Sequence, residues 1–216
     1  MISLHNYIEH TALKPDLTIA DVDALCAEAV QHVFAGVCVP AYFVPRVNEI
    51  LGGTSIDIVT VIGFPYGYNS IMSKYEEAED AMHAGAIHLD MVVHIAAVKN
   101  GDWDTVQNEI ATITRLAHAE GRILKLIAET GVLSEVELDL VINIANEAGV
   151  DYLKTSTGVN GPGANVDIVK YLRSKCAPGM QIKASGGIRT KADAIALIEA
   201  GANRLGTSKS IDIING

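Results

Sequence analysis

Two lysines close apolar runs and are followed by small residues. Lys154 ends Val150-Asp151-Tyr152-Leu153-Lys154 and precedes Thr155-Ser156-Thr157-Gly158; Lys183 has the same setting in Met180-Gln181-Ile182-Lys183-Ala184-Ser185-Gly186-Gly187. An ammonium at the mouth of a buried strand loses hydration, which disfavours the charged form and brings an amine from about 10.4 toward neutrality. A neutral amine attacks carbonyl carbon. If both strands share one sheet, each ammonium is expected to depress its neighbour's pKa. The bland alternative is a pair of strand-end lysines snorkelling to solvent.

The elements that must position these amines follow from a weak internal repeat. Ala84-Gly85-Ala86-Ile87-His88-Leu89-Asp90, Ala148-Gly149-Val150-Asp151-Tyr152-Leu153-Lys154 and Ala200-Gly201-Ala202-Asn203-Arg204-Leu205-Gly206 each read as helix end, glycine stop and strand. The fifth residue after each glycine reaches a similar height, so Asp90, Lys154 and Gly206 are expected at one end of the sheet. In parallel α/β folds chemistry is done at that carboxyl end. Strand signals near residues 8–13, 36–39, 56–62, 87–93, 123–127, 150–154, 180–184 and 203–206 number about eight, which closes a (β/α)8 TIM barrel. Helical spacing runs over 18–33, 73–83 and 104–120. Capping boxes, Ser134 with Glu137 and Thr190 with Asp193, open helices running to Ala148 and Ala200. No linker or break in composition interrupts the alternation, so residues 1–216 are expected to form one domain, with a short N-terminal extension. An open doubly wound sheet would carry a glycine-rich turn after its first strand, and none is present.

The barrel reading brings Asp90, Lys154 and Lys183 together at the mouth. That set suits a lysine that forms a Schiff base, with a carboxylate and a second amine moving protons. Gly186-Gly187 after the seventh strand and Gly206-Thr207-Ser208 after the eighth offer backbone N–H groups where many barrels bind phosphate, and Gly158 can add another.

Composition excludes partners rather than naming one. A net charge of -10 argues against nucleic acid or an anionic membrane, which need a basic surface. The residues after Met1 show no signal peptide and no run is long enough for a membrane helix, so a cytoplasmic protein is expected. The 3 cysteines, Cys26, Cys38 and Cys176, lack CxxC spacing and indicate neither a disulfide framework nor a zinc site. A homodimer is compatible with the chain, but no helix face is apolar enough to name the interface.

Four runs resemble the deoxyribose-phosphate aldolase family: Leu153-Lys154-Thr155-Ser156-Thr157-Gly158, Ile182-Lys183-Ala184-Ser185-Gly186-Gly187-Ile188-Arg189-Thr190, Leu124-Lys125-Leu126-Ile127-Ala128-Glu129-Thr130-Gly131 and His10-Thr11-Ala12-Leu13-Lys14-Pro15. The resemblance covers nearly the whole chain. It implies a class I aldolase, free of metal or other cofactor, that reversibly cleaves 2-deoxy-D-ribose 5-phosphate to glyceraldehyde 3-phosphate and acetaldehyde. By that match Lys154 is the Schiff-base lysine, with Asp90 and Lys183 as the proton relay. Thr157, Gly158, Gly186, Gly187, Gly206, Thr207 and Ser208 would surround the phosphate, with Arg189 nearby. Thr11, Cys38 and Lys125 fall on barrel-mouth positions of the family pattern.

The chain also departs from that pattern. Glu9 stands where the family usually has Asp, and its extra length is expected to disturb contacts near the substrate. Pro40-Ala41 reshapes the loop after Cys38, His88 and His94 replace residues more often Glu and Asn, and Thr207-Ser208-Lys209 varies the phosphate loop. The chain ends at Ile213-Ile214-Asn215-Gly216, without the C-terminal tyrosine of some members.

Three other readings compete. A metal-dependent barrel would use His88 and Asp90, alternating on one strand face, with His83 and His94 close in sequence, but no recognisable histidine ligand pattern accompanies them. A non-catalytic phosphosugar-binding protein would keep the glycines without needing Lys154, Asp90 and Lys183 together. A phosphosugar isomerase or epimerase would use carboxylates or a His/Glu pair rather than two lysines.

Overall fold

Eight parallel strands pair in chain order and the eighth returns to the first, giving a closed barrel. The computed structural model describes residues 3–216. The strands are β1 (Ile8–Thr11), β2 (Gly36–Val39), β3 (Asp57–Ile62), β4 (His88–Val92), β5 (Ile123–Ile127), β6 (Tyr152–Lys154), β7 (Gln181–Ser185) and β8 (Arg204–Thr207). Around them lie α1 (Ile19–His32), α2 (Val44–Leu51), α3 (Ile71–His83), α4 (Ile95–Lys99), α5 (Trp103–Ala119), α6 (Glu135–Ala148), α7 (Val166–Lys175), α8 (Lys191–Glu199) and α9 (Ser210–Asn215). The expected TIM barrel is therefore the observed fold.

Local chemistry explains where the long helices start. At α6 the Ser134 hydroxyl accepts from Glu137 N at 3.4 Å and the Glu137 carboxylate accepts from Ser134 N at 2.7 Å. Thr190 and Asp193 make the same reciprocal pair at α8, and Thr18 with Asp21 makes a third at α1. Each box satisfies two backbone donors that the first helical turn leaves unpaired.

Strand alternation sorts side chains into two populations. Leu89, Leu124, Leu126, Leu153, Ile182 and Leu205 are fully buried in the aliphatic layer that includes the helices. The intervening residues point into the barrel. There Cys38, Val59 and Val61 form a small apolar cluster, against which Leu13 and Phe64 pack. The rest of the interior departs from the branched aliphatic layers that usually fill such a barrel. Glu9, Asp90, Lys125, Lys154 and Lys183 are all buried within it. A short apolar strand so charged on one face has its pattern set by the site rather than by the core.

Candidate active site

Parallel register brings the charged side chains of adjacent strands together. Asp90 on β4 pairs with Lys125 on β5, and Lys154 on β6 pairs with Lys183 on β7. Lys154 Nζ donates to Asp90 Oδ2 at 2.9 Å, and Lys183 Nζ donates to the same oxygen at 2.6 Å. Lys125 Nζ donates to Asp90 Oδ1 at 3.0 Å. One carboxylate thus gathers three amines. Gly206 makes room for this packing, since a Cβ there would sit 3.0 Å from Lys183 Cε.

Glu9 supplies the second buried carboxylate. It accepts from Lys183 Nζ and lies 3.4 Å from Lys125 Nζ. The longer side chain, expected from sequence to disturb substrate contacts, reaches the cations beneath the mouth. Burial would raise both acids, but the ammonium groups around them win. Asp90 is held well below the usual carboxylate range by Lys125, Lys154 and Lys183, and Glu9 is lowered to about 2 by Lys125 and Lys183. Lys183 corrects the simple expectation of mutual depression between lysines. Burial pulls its pKa down, but the Asp90 and Glu9 carboxylates push it up by more. Lys183 is therefore a held cation, not a free amine.

Lys154 differs in access. It has Asp90 as its carboxylate partner and lines an open cleft of about 910 Å³ at the carboxyl end of the barrel. Asp90, Lys183, Lys125 and Cys38 lie fully buried beneath it. Burial also raises the Cys38 thiol. Thr11, Thr157, Gly158, Gly186, Gly187, Gly206, Thr207 and Ser208 all line the cleft. Lys14, Arg189 and Lys209 add cationic side chains to its wall. Lys14 lies within the run His10 to Pro15 and Lys209 follows Ser208, so a cation in or beside a recognisable run was the signal that could have marked them.

The loop between β6 and α7 is held by a residue that sequence reasoning quoted but gave no role. Glu129, buried and in the left-handed region at φ 54°, accepts from Thr157 N at 3.1 Å, Thr157 Oγ1 at 2.6 Å and Asn160 Nδ2 at 3.0 Å. Asn160 also donates to Pro65 O at 2.6 Å, tying this loop to the one after β3. Gly186 has φ 86°, and a Cβ there would lie 2.9 Å from Gly163 Cα. The two loops meet through backbone, and glycine is the residue that permits it.

The histidines that motivated a metal reading go to separate tasks. His88 Nδ1 lies 2.9 Å from Lys125 Nζ, while His94 Nδ1 accepts from Ala97 N at 3.1 Å and caps α4. Among the described residues, no three His, Cys, Asp or Glu side chains are arranged to hold a metal ion. Nor is any described helix long and apolar enough to cross a membrane.

The model of the DeoC/LacD family aldolases matches residues 5–211. The chain belongs to that family. Among curated relatives, it is 44% identical to the deoxyribose-phosphate aldolase of Brevibacillus brevis, over 100% of this chain and 96% of the relative. The corresponding aldolase of Thermococcus gammatolerans is also 44% identical, with the same coverage of each chain. Among solved structures, a putative deoxyribose-phosphate aldolase from Coccidioides immitis superposes with a TM-score of 0.92 at 39% identity, covering 99% of this chain and 85% of that one. The aldolase from Aeropyrum pernix, described as tetrameric, gives a TM-score of 0.92 at 33% identity, covering 98% and 89%. Membership of the DeoC/LacD family makes the chain an aldolase, a carbon–carbon lyase.

Proposed function

We propose that this enzyme reversibly cleaves 2-deoxy-D-ribose 5-phosphate to glyceraldehyde 3-phosphate and acetaldehyde through a Schiff base on Lys154. The observation that carries this reading is the Asp90 carboxylate shared by three lysines, with Lys154 opening onto the cleft. Lys154 Nζ attacks the aldehyde carbon of the open-chain sugar, and loss of water from the carbinolamine leaves an iminium. Removal of the proton from the C3 hydroxyl lets the C2–C3 bond break, with its electron pair moving into the iminium to form an enamine. Glyceraldehyde 3-phosphate departs. Protonation of the enamine carbon and hydrolysis then release acetaldehyde and free Lys154.

Asp90 and Lys183 are the proposed proton relay. Their hydrogen bond keeps one acceptor and one donor side by side under Lys154, and positioned transfers of this kind contribute about 10²–10⁴-fold each. The glycine-rich ends of β6, β7 and β8 are the proposed phosphate site, with Thr157, Gly158, Gly186, Gly187, Gly206, Thr207 and Ser208 around the anion and Lys14, Arg189 and Lys209 supplying charge. Thr11 is placed to meet sugar hydroxyls. Cys38 and Lys125, both below the cleft, shape the end that takes the two-carbon fragment and support Asp90.

Borohydride reduction with acetaldehyde tests the mechanism. It should leave an ethyl group on Lys154, found by peptide mass, and Lys154→Ala should abolish it. An adduct that survives this substitution unchanged sinks the assignment. The phosphate site is tested separately, by comparing deoxyribose 5-phosphate with unphosphorylated deoxyribose. Equal kcat/KM for the two would remove it.

A further inference from the structure

A second cavity, of about 340 Å³, opens at the opposite end of the barrel. Its wall includes the first residues of six consecutive strands: Asp57, His88, Ile123, Tyr152, Gln181 and Arg204. This end of a TIM barrel ordinarily serves stability and is closed by side chains. Here it is lined largely by polar side chains and open to solvent. The Asp57 and Arg204 side chains are 23% and 25% exposed, and they lie 3.6 Å apart.

From this cavity polar atoms run inward without an apolar layer. His88 Nε2 lies 3.8 Å from Asp57 Oδ2, and His88 Nδ1 faces Lys125 Nζ at 2.9 Å. Lys125 continues to Asp90, which bonds Lys154 and Lys183. An ammonium can only donate, so His88 Nδ1 must accept and its proton sits on Nε2, toward the cavity. Alongside this path, Glu9 Oε1 and Arg204 Nε are buried without hydrogen-bond partners and face each other at 3.9 Å. Buried polar groups left open in this way are where internal water is ordinarily held.

We infer that the amino end of the barrel is a proton port, through which Asp90 and Lys183 exchange protons with solvent by way of Lys125 and His88 while substrate fills the mouth. The inference rests on the Schiff-base reading above. In the synthetic direction the acetaldehyde iminium loses a methyl proton, its C–H bond breaking as the electron pair forms the enamine, and Asp90 takes that proton. Lys125 passes one of its protons to His88 Nδ1 and receives the one on Asp90. His88 Nε2 releases its own proton to Asp57 or to water in the cavity. The charges on Asp90 and Lys125 are restored and His88 is neutral with its proton on Nδ1, a tautomer that cannot accept from Lys125. In the reverse transfers a solvent proton enters at Nε2 and the Nδ1 proton passes back to Lys125 as Lys125 reprotonates Asp90. These reset the starting tautomer and supply the proton needed in the return direction.

Hydrogen–deuterium exchange of the acetaldehyde methyl group in D2O, followed by NMR, tests the port. Glycerol 3-phosphate, which lacks a carbonyl, serves as the plug for the mouth. The wild-type enzyme should continue exchange with the ester saturating. Gln181→Trp, which fills the base cavity from an exposed position, and His88→Gln, which keeps an acceptor for Lys125 but interrupts transfer, should each lose about tenfold or more with the ester present. Without the ester both should exchange at close to the wild-type rate, which a merely structural role would not produce. Exchange in the variants equal to wild type with the ester bound, or loss of wild-type exchange on adding it, overturns the port. Borohydride trapping at Lys154, run without and with the ester, separates the two ideas. A wild-type enzyme that forms no adduct even without the ester refutes the Schiff base, whereas trapping with the ester present and unchanged variant exchange refutes only the port.

Discussion

Asp90 is the residue on which the charge balance of the interior depends. Lys125, Lys154 and Lys183 all bond to it, and among the described residues Glu9 is the only other carboxylate within reach of two of them. Asp90→Asn should lower turnover by about 10²–10⁴-fold, because it removes a proton acceptor at the reacting carbon. It should also lower stability by about 3–5 kcal/mol at neutral pH, as expected when one member of a buried ionic set is deleted. The two losses have different pH behaviour. Ammonium groups left buried and underpaired favour their neutral forms, so the unfolded variant binds more protons than the folded one and stability should recover as pH rises from 7 to 9. Urea unfolding at both pH values measures this; a deficit that does not shrink would mean that the lost stability is packing. Lys154 and Lys183 were readable from sequence because each ends an apolar run where an ammonium is costly. The sharing of Asp90 was not, since it depends on side chains from four strands converging at one point.

Loops and helix starts carry the next layer of the site. Glu129 gathers Thr157 and Asn160, so the loop of the proposed phosphate site is shaped by a side chain just after β5 that does not itself line the cleft. Glu129→Gln keeps the size but turns one acceptor oxygen into a donor group facing other donors. KM for deoxyribose 5-phosphate should rise severalfold, roughly the effect of about 1 kcal/mol lost from one hydrogen bond. The kcat/KM for unphosphorylated deoxyribose should stay near that of the wild type; an equal fall for both substrates would place Glu129 in general stability instead. The strands and the helices α6 and α8 were evident in sequence because β-branched runs and S/T-x-x-D/E boxes are strong local signals, while α1 was read from its apolar spacing and its box of Thr18 with Asp21 emerged only in the structure. Sequence placed no helix at α2, α4, α7 or α9. Of these, α4 has 5 residues and α9 has 6, too few turns for a 3.6-residue period to stand out. α7 follows the glycine-rich loop, where the dominant signal is the turn. Strand ends shifted by a residue or two, as at β1, which stops at Thr11 rather than 13, because hydrogen-bonded register and not propensity decides where pairing ends.

Across the whole molecule, the charged interior ties function to acid stability. Burial and the neighbouring Lys125 ammonium push His88 from 6.5 down to about 3, so it stays neutral in the folded protein over a range where the unfolded chain would be protonated. Between those values the unfolded state binds the extra proton, and stability must fall as pH falls. His10 is lowered by burial and acts in the same direction. Glu9, lowered from 4.5 to about 2, adds a second loss of the same sign below pH 4.5, where the unfolded chain takes up its proton first. His88→Gln removes the first contribution and leaves the second. Between pH 7 and 5 the variant should therefore lose less Tm than the wild type, while His10 keeps its loss above zero. Below pH 4.5 Glu9 adds the same further loss to both, but the wild type should keep falling faster until about pH 3, where His88 protonates in the folded state too and the two curves run parallel. Thermal unfolding at pH 7, 5 and 4 distinguishes these windows. Parallel curves from pH 7 to 5 would mean that His88 titrates alike in folded and unfolded chains, and that the interior is wet enough to accept its charge. A smaller fall in the variant would tie the acid sensitivity of the fold to the same residue that links the base cavity to Lys125.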